Sequence, residues 1–577
     1  MDRSQDLDLI QLHTGTTRMW GMERPNVFED PPPTAVLEAI AELSAAEASP
    51  RPPAPSPPPT PPPWTHSCRI TLTDEEAAVH CVANPDLPNL PPTLTAWTGR
   101  ELLLSLMRPA SPPPSSTDSH VGSGTSDTAN HAAFSGVDLR LRVPPEEALR
   151  AAEKELQQSS TWTAKPFPDM GITFRGVPHL RIVDSVIRSQ RGRVHMQPLA
   201  PLLQCEGCPY LTVENVTVKG IEGPEVYIFE DSPWVNDPDF PTFGPIHASG
   251  LIGVEVSDFS CTDIAFSQGW SCLHLQYNDL AVDEGDDGDG VDAVAPGLQQ
   301  LYDTAAGEGF LNIHDSAFIS TETSWGGAYG ASALYSEKLY GDYDFNTGVA
   351  PTPVHRYGGY GSVLVSRLAA GAAARADAYK APLVREATGS LQIRVYDSLF
   401  KDNYGNFGGV LAVLGSSRDY VEFSRCQISG SIARDGAVLY VNGSLSGLAL
   451  RNMQIVQSIA NDRGGVAFVS GSVDRFIVTA SNAFNNTASA GGMLYAPYID
   501  KVSISDSVVT ENVATLYGGV IAAEGLGDVS VARSVISGNR ALNGSGAVLY
   551  ATNGFDSMNL GNDTAISGNT ARDAGGV

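Results

Sequence analysis

Long apolar runs are missing from this 577-residue chain: no stretch reaches the ~18 uninterrupted apolar residues that a membrane-spanning helix requires. A helical membrane span is therefore excluded in this chain. The first twenty residues, MDRSQDLDLIQLHTGTTRMW, also lack the apolar core of about 7–15 residues that marks a secretion signal. Positive charge is scarce. With 36 Lys+Arg against 65 Asp+Glu the net charge is -29, which repels phosphate backbones and excludes nucleic acid as a partner. The 7 Cys are too few for a disulfide-dense scaffold, and an odd number cannot all pair within one chain. Cys205-Glu206-Gly207-Cys208 is a lone CxxC, and Cys261 and Cys272 do not complete a zinc-ribbon spacing. Buried thiols or one local disulfide are the expectation, with no metal and no cofactor. Histidine stops early: all 11 lie at or before His355, so residues 356–577 hold no imidazole for acid–base catalysis.

Proline is scarce toward the end of the chain and crowded at its start. Of the 40 Pro, 22 lie in residues 1–118 and only Pro497 lies in residues 391–577. The chain therefore reads as two materials. Residues 1–143 are a largely disordered Pro/Ser-rich region whose runs, such as Pro57-Pro58-Pro59 and Pro112-Pro113-Pro114, favour extended polyproline II over a packed core. A small ordered piece is expected at 64–110. Residues 144–160 predict a helix, with Leu149, Ala152 and Leu156 on one stripe, placed to cap the open end of a strand stack. From 165 to 577 short alternating runs recur, among them HLRIVDSVI, YLTVENVTV, LIGVEVSDF, FLNIHDSAF and LQIRVYDSLF, interrupted by insertions near 222–245, 280–310 and 336–390.

What is there in abundance is a repeat. The first Gly of a small-residue pair falls at Gly408, Gly436, Gly464, Gly491, Gly518, Gly546 and Gly575, at spacings of 27–29 residues. After each pair comes one strand, for example VLAV at 410–413 and VLYV at 438–441. A second apolar column runs through Phe423, Leu450, Val478, Ile504, Val531 and Leu560. A third runs through Phe400, Ile428, Ile455, Phe484, Val509, Ile536 and Ile566. Three apolar columns per period predict an all-β fold, a parallel β-helix solenoid with three strands per coil, each strand paired with its counterpart about 4.8 Å away in the next coil. Asn403, Asn512, Asn539 and Asn569, with Ser431, Ser458 and Thr487 in other coils, are expected to stack and hydrogen-bond along the axis at corners. The chain ends at Gly575-Gly576-Val577, at the start of a strand whose predecessors run further, so it is expected to be a fragment or an incomplete gene product.

The pattern resembles the repeats of chlamydial polymorphic outer-membrane proteins, which combine GGA[ILV] and FxxN elements. The matching residues are Gly408-Gly409-Val410-Leu411, Phe400-Lys401-Asp402-Asn403, the degenerate Val509-Thr510-Glu511-Asn512 and Ile536-Ser537-Gly538-Asn539, and Trp325-Gly326-Gly327-Ala328. The resemblance covers residues 310–577 well and 171–310 loosely. It implies a right-handed β-helix of the pectin-lyase-like group with adhesive roles at a cell surface. No translocating β-barrel follows, and the Pro-rich front is foreign to that family.

Enzymatic members of the group cleave acidic polysaccharides, but their GHG and RIK elements do not occur here, and the carboxylates of the regular coils, such as Asp397 and Asp506, sit singly at strand-to-corner steps and serve to solvate them. No catalytic residue is assigned. The insertions place aromatics beside carboxylates, a pairing suited to sugar rings, which makes Trp234, Asp237, Asp239, Tyr340 and Tyr343 the glycan-contact candidates. Asp286, Asp287 and Asp289 form the one weak calcium candidate, without EF-hand order. The expected function is a non-enzymatic extracellular or cell-surface protein that meets a cell-wall or matrix glycan or a surface protein. The alternatives are a polysaccharide lyase or hydrolase, and an intracellular scaffold. Circular dichroism of residues 165–577 is expected to show mainly strand; a mainly helical spectrum overturns this reading.

Overall fold

The computed structural model describes residues 61–72, 76–86, 137–142, 172–175, 177–188, 202–221, 245–265, 271–278, 308–322, 361–368, 390–405, 407–561 and 563–575. Every described element is a strand. Thirty of them join in one hydrogen-bonded network and six short ones in a second. The helix expected at 144–160 and most of the three insertions lie outside the described residues.

Alternation decides which side chains enter the core. In Ser390–Tyr396 the side chains of Leu391, Ile393 and Val395 are buried while Gln392, Arg394 and Tyr396 face outward, as a strand with one apolar face must arrange them. Parallel pairing then stacks each run on the next repeat. Phe423 pairs with Leu450, Leu450 with Val478, Val478 with Ile504, Ile504 with Val531 and Val531 with Leu560. The same column continues upstream through Val395, Ile313, Val256, Val213 and Ile182 to Cys68. The strand after each glycine pair forms another column, Leu273–Val363–Leu411–Leu439–Ala467–Leu494–Ile521–Leu549. The apolar members of these columns merge in a single core running from Cys68 to Val548.

Three details differ from the sequence reading. In the third column Ile455 is followed by Ala483, not Phe484, before Val509. Ala483 is buried and Phe484 half-buried, because a strand cannot slip by one residue without turning its whole apolar face outward. Secondly, a short fourth segment pairs between repeats, through Ala433–Ala460 and Ala488–Ala514–Ala541–Ala571. Ala433, Ala460 and Ala488 of this segment form, with Ala437, a small buried cluster of their own. Finally, the strands of the first and second columns run together as one bent strand in Leu411–Ser424 and Leu439–Arg451.

Of the piece expected at 64–110, residues 87–110 lie outside the described residues, and the described part holds a hairpin. Strands β1 (His66–Leu72) and β2 (Glu76–Ala83) pair antiparallel, and β3 (Val137–Arg142) adds to β2. β1 also pairs in parallel with His179–Arg188. The hairpin therefore covers the edge that the first long repeat strand would otherwise present to other chains.

Buried polar side chains run through the corners as ladders. Asn512 Oδ1 accepts from the backbone N–H and the Nδ2 of Asn486, at 3.0 and 2.9 Å, while its own Nδ2 donates to Asn539 Oδ1 at 3.0 Å and to the Ala483 carbonyl at 3.1 Å. Asn539 repeats these bonds toward Asn569 and Val509. The ladder residue of the earlier repeat is Asn486 rather than the expected Thr487, one position away, in keeping with the Ala483 register. A second ladder of serines supplies acceptors to backbone N–H groups one repeat away: Ser316 donates its N–H to Ser398 Oγ, Ser481 to Ser507 Oγ and Ser507 to Ser534 Oγ. At the third corner, Gly436 has φ 61, and a Cβ there would strike the Leu439 carbonyl oxygen. Only glycine occupies that conformation without cost. The second glycine of the Gly464-Gly465 pair has a different reason: a Cβ on Gly465 would meet the Gly492 carbonyl of the next repeat.

Asn512→Ala removes an acceptor of two buried donors and is expected to cost about 2–4 kcal/mol locally. Hydrogen exchange should show the loss at Asn486 and Val513 amides while repeats near Leu411 keep their protection; uniform protection across all repeats would contradict the ladder's role.

Candidate functional site

The candidates Trp234, Asp237, Asp239, Tyr340 and Tyr343, and the calcium candidates Asp286, Asp287 and Asp289, all lie outside the described residues. The strongest convergence of chemically capable groups among the described residues lies elsewhere, on the outward face of the second-column strands. Glu255, Asn312 and Arg394 stand in one cross-strand row, and Ser257, His314 and Tyr396 in the next. Their inward neighbours Val256, Ile313 and Val395 belong to the core column, and strand alternation turns this polar set to the outside.

His314 is held at both ring nitrogens. Nε2 lies 2.9 Å from Glu255 Oε1 and Nδ1 lies 2.8 Å from Asp315 Oδ2. Asn312 Nδ2 donates to the other oxygen of Glu255 at 2.9 Å. The imidazole stacks on Tyr396, with ring centroids 4.9 Å apart and planes within 9°. Arg425 lies 5.9 Å from the Tyr396 ring centre and donates twice to Asp397, at 2.7 Å each. Burial, with the Glu255, Asp315 and Asp397 carboxylates around it, pushes the Tyr396 phenol up, and the hydrogen bonds from Arg425 hold Asp397 below the usual carboxylate range. His314, Glu255, Asp315 and Asp397 therefore each already have a partner, while the buried Oδ1 of Asn312 has none. A hydrolase acid–base pair needs carboxylates about 5–9.5 Å apart across a space for sugar and water; here one imidazole fills the space between Glu255 and Asp315.

The expectation that Asp397 and Asp506 stand singly is overturned by the same geometry. Arg425 and Arg533, each from the following repeat, form two-point bonds with them. Similar cross-repeat pairs join Arg434 to Asp462, Arg463 to Asp435 and Arg451 to Glu422. Arg463 also lies 4.3 Å from the Phe468 ring centre and 5.4 Å from that of Tyr495, within a stacked row Phe407–Tyr440–Phe468–Tyr495. Burial raises the Tyr440 phenol to about 12 and pushes the Asp435 carboxyl up as well.

The cysteines also differ from expectation. Three disulfides form, Cys68–Cys81, Cys205–Cys208 and Cys261–Cys272, where at most one was expected. Cys68 and Cys81 are cross-strand partners, a neighbourhood that only the fold creates. Cys426 is the free thiol among the described residues. It replaces serine in the second ladder, donating to the Ser424 carbonyl as Ser398 does to Tyr396, and burial raises it to about 12.

His314 and Glu255 were missed because an irregular insertion separates them, so no fixed period brings them together. Setting LIGVEVSDF over FLNIHDSAF on Asp258 and Asp315 recovers their neighbourhood. No protein-family model, curated protein or solved structure matches the chain.

A second histidine pair governs acid behaviour. His247 stacks tilted on His274 at 4.7 Å, and burial pushes His247 down from 6.5 to about 4, against a smaller opposing effect of Gln276. The folded value lies below the unfolded one, so its contribution is complete above pH 6.5 and is lost as pH falls toward 4, by up to about 3 kcal/mol. Burial lowers His66 and His179 in the same direction. Hydrogen exchange at pH 7 and pH 4.5 is expected to show loosening around residues 179–278 with little change in 411–537, and His247→Asn is expected to flatten the response. Equal loosening of both halves would refute the assignment.

Proposed function

We propose that this chain is a right-handed parallel β-helix of the pectin-lyase-like group, with repeats akin to those of chlamydial polymorphic outer-membrane proteins. On this reading it acts without catalysis, outside the cell or on its surface, as a rigid rod whose insertions contact a wall or matrix glycan or a surface protein. The observation that carries the non-catalytic part is the saturation of the outward face. His314 has a carboxylate at each ring nitrogen, and the carboxylates of the regular repeats at Asp397, Asp435 and Asp506 have arginine partners. Support for rigidity comes from eleven successive parallel pairings between Cys68 and Leu560, which leave each interior strand of the column bound on both sides. Support for an oxidising compartment comes from the three disulfides.

The test is a pair of measurements on the full chain. Binding to an array of acidic and neutral wall glycans and to surface protein extracts is expected without release of reducing sugar or unsaturated product. If the partner is a glycan, Trp234→Ala is expected to weaken binding about tenfold, the size of one lost aromatic contact. Product release would establish the lyase or hydrolase alternative instead.

A further inference from the structure

We propose that Asn215 and Asn543 are N-glycosylation sites, an inference that rests on the extracellular reading above. Five Asn-x-Ser/Thr sequons occur in the chain, at Asn215, Asn442, Asn485, Asn543 and Asn562. The fold separates them by where each side chain points once the repeats have stacked.

Asn215 lies at the corner after the second-column strand, at φ 52. Its counterparts in other repeats, Asp184, Asp258, Asp315, Asp397 and Arg425, share that left-handed conformation at φ 47–55. All of these side chains are exposed, while the residue after each turns inward, as with Val216 and Ser398. A substituent on Asn215 thus projects from an edge of the coil where the equivalent residues Asp184, Asp258, Asp315, Asp397 and Arg425 also face solvent. Asn543 is exposed in the turn leading to the Gly546 corner. By contrast, Asn442 is half-buried, with its Oδ1 accepting from Ser470, and Asn485 is half-buried beside Asn486 and Thr487, both inside the coil. Asn562 lies outside the described residues.

The chemistry leaves the existing bonds intact. Transfer from a lipid-linked oligosaccharide diphosphate joins Nδ2 to the anomeric carbon of the sugar. The anomeric C–O bond breaks, the diphosphate leaves with the electron pair, and one amide proton is released. Asn215 Nδ2 donates to Asp184 Oδ1 at 2.9 Å, and the second amide hydrogen suffices for that bond after transfer. At Asn543 the bond from Arg572 Nη1, at 3.3 Å, ends on Oδ1, the opposite side of the amide. Both asparagines can therefore carry a sugar without losing the contact that ties them to the neighbouring repeat.

The full chain purified from its source is treated with peptide N-glycosidase in heavy-oxygen water and mapped by mass spectrometry, with thiols alkylated beforehand under non-reducing conditions. The labelled Asn-to-Asp conversion is expected at Asn215 and Asn543. Thr217→Ala and Ser545→Ala, which keep both asparagines, are each expected to abolish labelling at their own site alone. Alkylation confined to Cys426 with both asparagines unlabelled overturns this proposal and leaves the compartment intact. Alkylation of all 7 cysteines overturns the extracellular reading and this proposal together.

Discussion

A parallel stack has to satisfy every backbone N–H and C=O with a partner one repeat away, and the remaining features of this chain stem from that requirement. Where the strand runs straight, the neighbouring strand supplies the partner. At the corners the backbone turns and the simple ladder fails, so buried side chains take over. Asn512 and Asn539 each give one oxygen to two donors and return two hydrogens, to the next amide and to a carbonyl of the previous repeat, while Asn486 Oδ1 accepts from the Ser458 N–H. Ser398, Ser507 and Ser534 do the same more simply. An apolar residue of equal size would fill the same space and leave those donors orphaned, which is why polar residues persist at the centre of an otherwise apolar column.

The two halves meet the requirement with different chemistry. Farther upstream Asn403 Oδ1 accepts from the Thr321 hydroxyl, but the hydroxyls of Ser431 and Ser458, expected to continue the ladder between Asn403 and Asn486, make no hydrogen bond. One repeat earlier the equivalent of Thr321 is Ile264, which cannot take part. All three disulfides fall at or before Cys272, in the repeats that lack the ladder and that long insertions interrupt. Disulfides restrict the unfolded chain irrespective of register, whereas amide ladders need an unbroken sequence of repeats. The insertions themselves do little harm to the stack because they leave and return at corners: His274 and Ser366 lie side by side although 92 residues apart. Charges follow a comparable economy, since arginines pair with carboxylates of an adjacent repeat, as Arg425 with Asp397, Arg434 with Asp462 and Arg533 with Asp506.

The repeat, its three main columns and the glycine corners were legible because they depend on residue type at a fixed period. Within the three columns, the register error falls in one repeat. Phe484 is the larger apolar residue, yet the register places Ala483 in the column and therefore Asn486, three residues on, in the ladder. The spacing from Phe400 to Asn403 and from Val509 to Asn512 already contained that rule. Counting from apolar size alone obscured it. The alanine segment was invisible for a related reason, since alanine carries no strand signature of its own.

By itself, then, the sequence determined the period, the inward residues and the residues able to turn corners, because these are local preferences repeated often enough to stand out. Only the tertiary structure decided which distant groups meet: His314 with Glu255, Arg425 with Asp397 and β1 with the first repeat. Those contacts join segments separated by loops of unequal length. Loop length leaves almost no trace in local preference, whereas the pairing of backbones across the stack fixes register to a single residue.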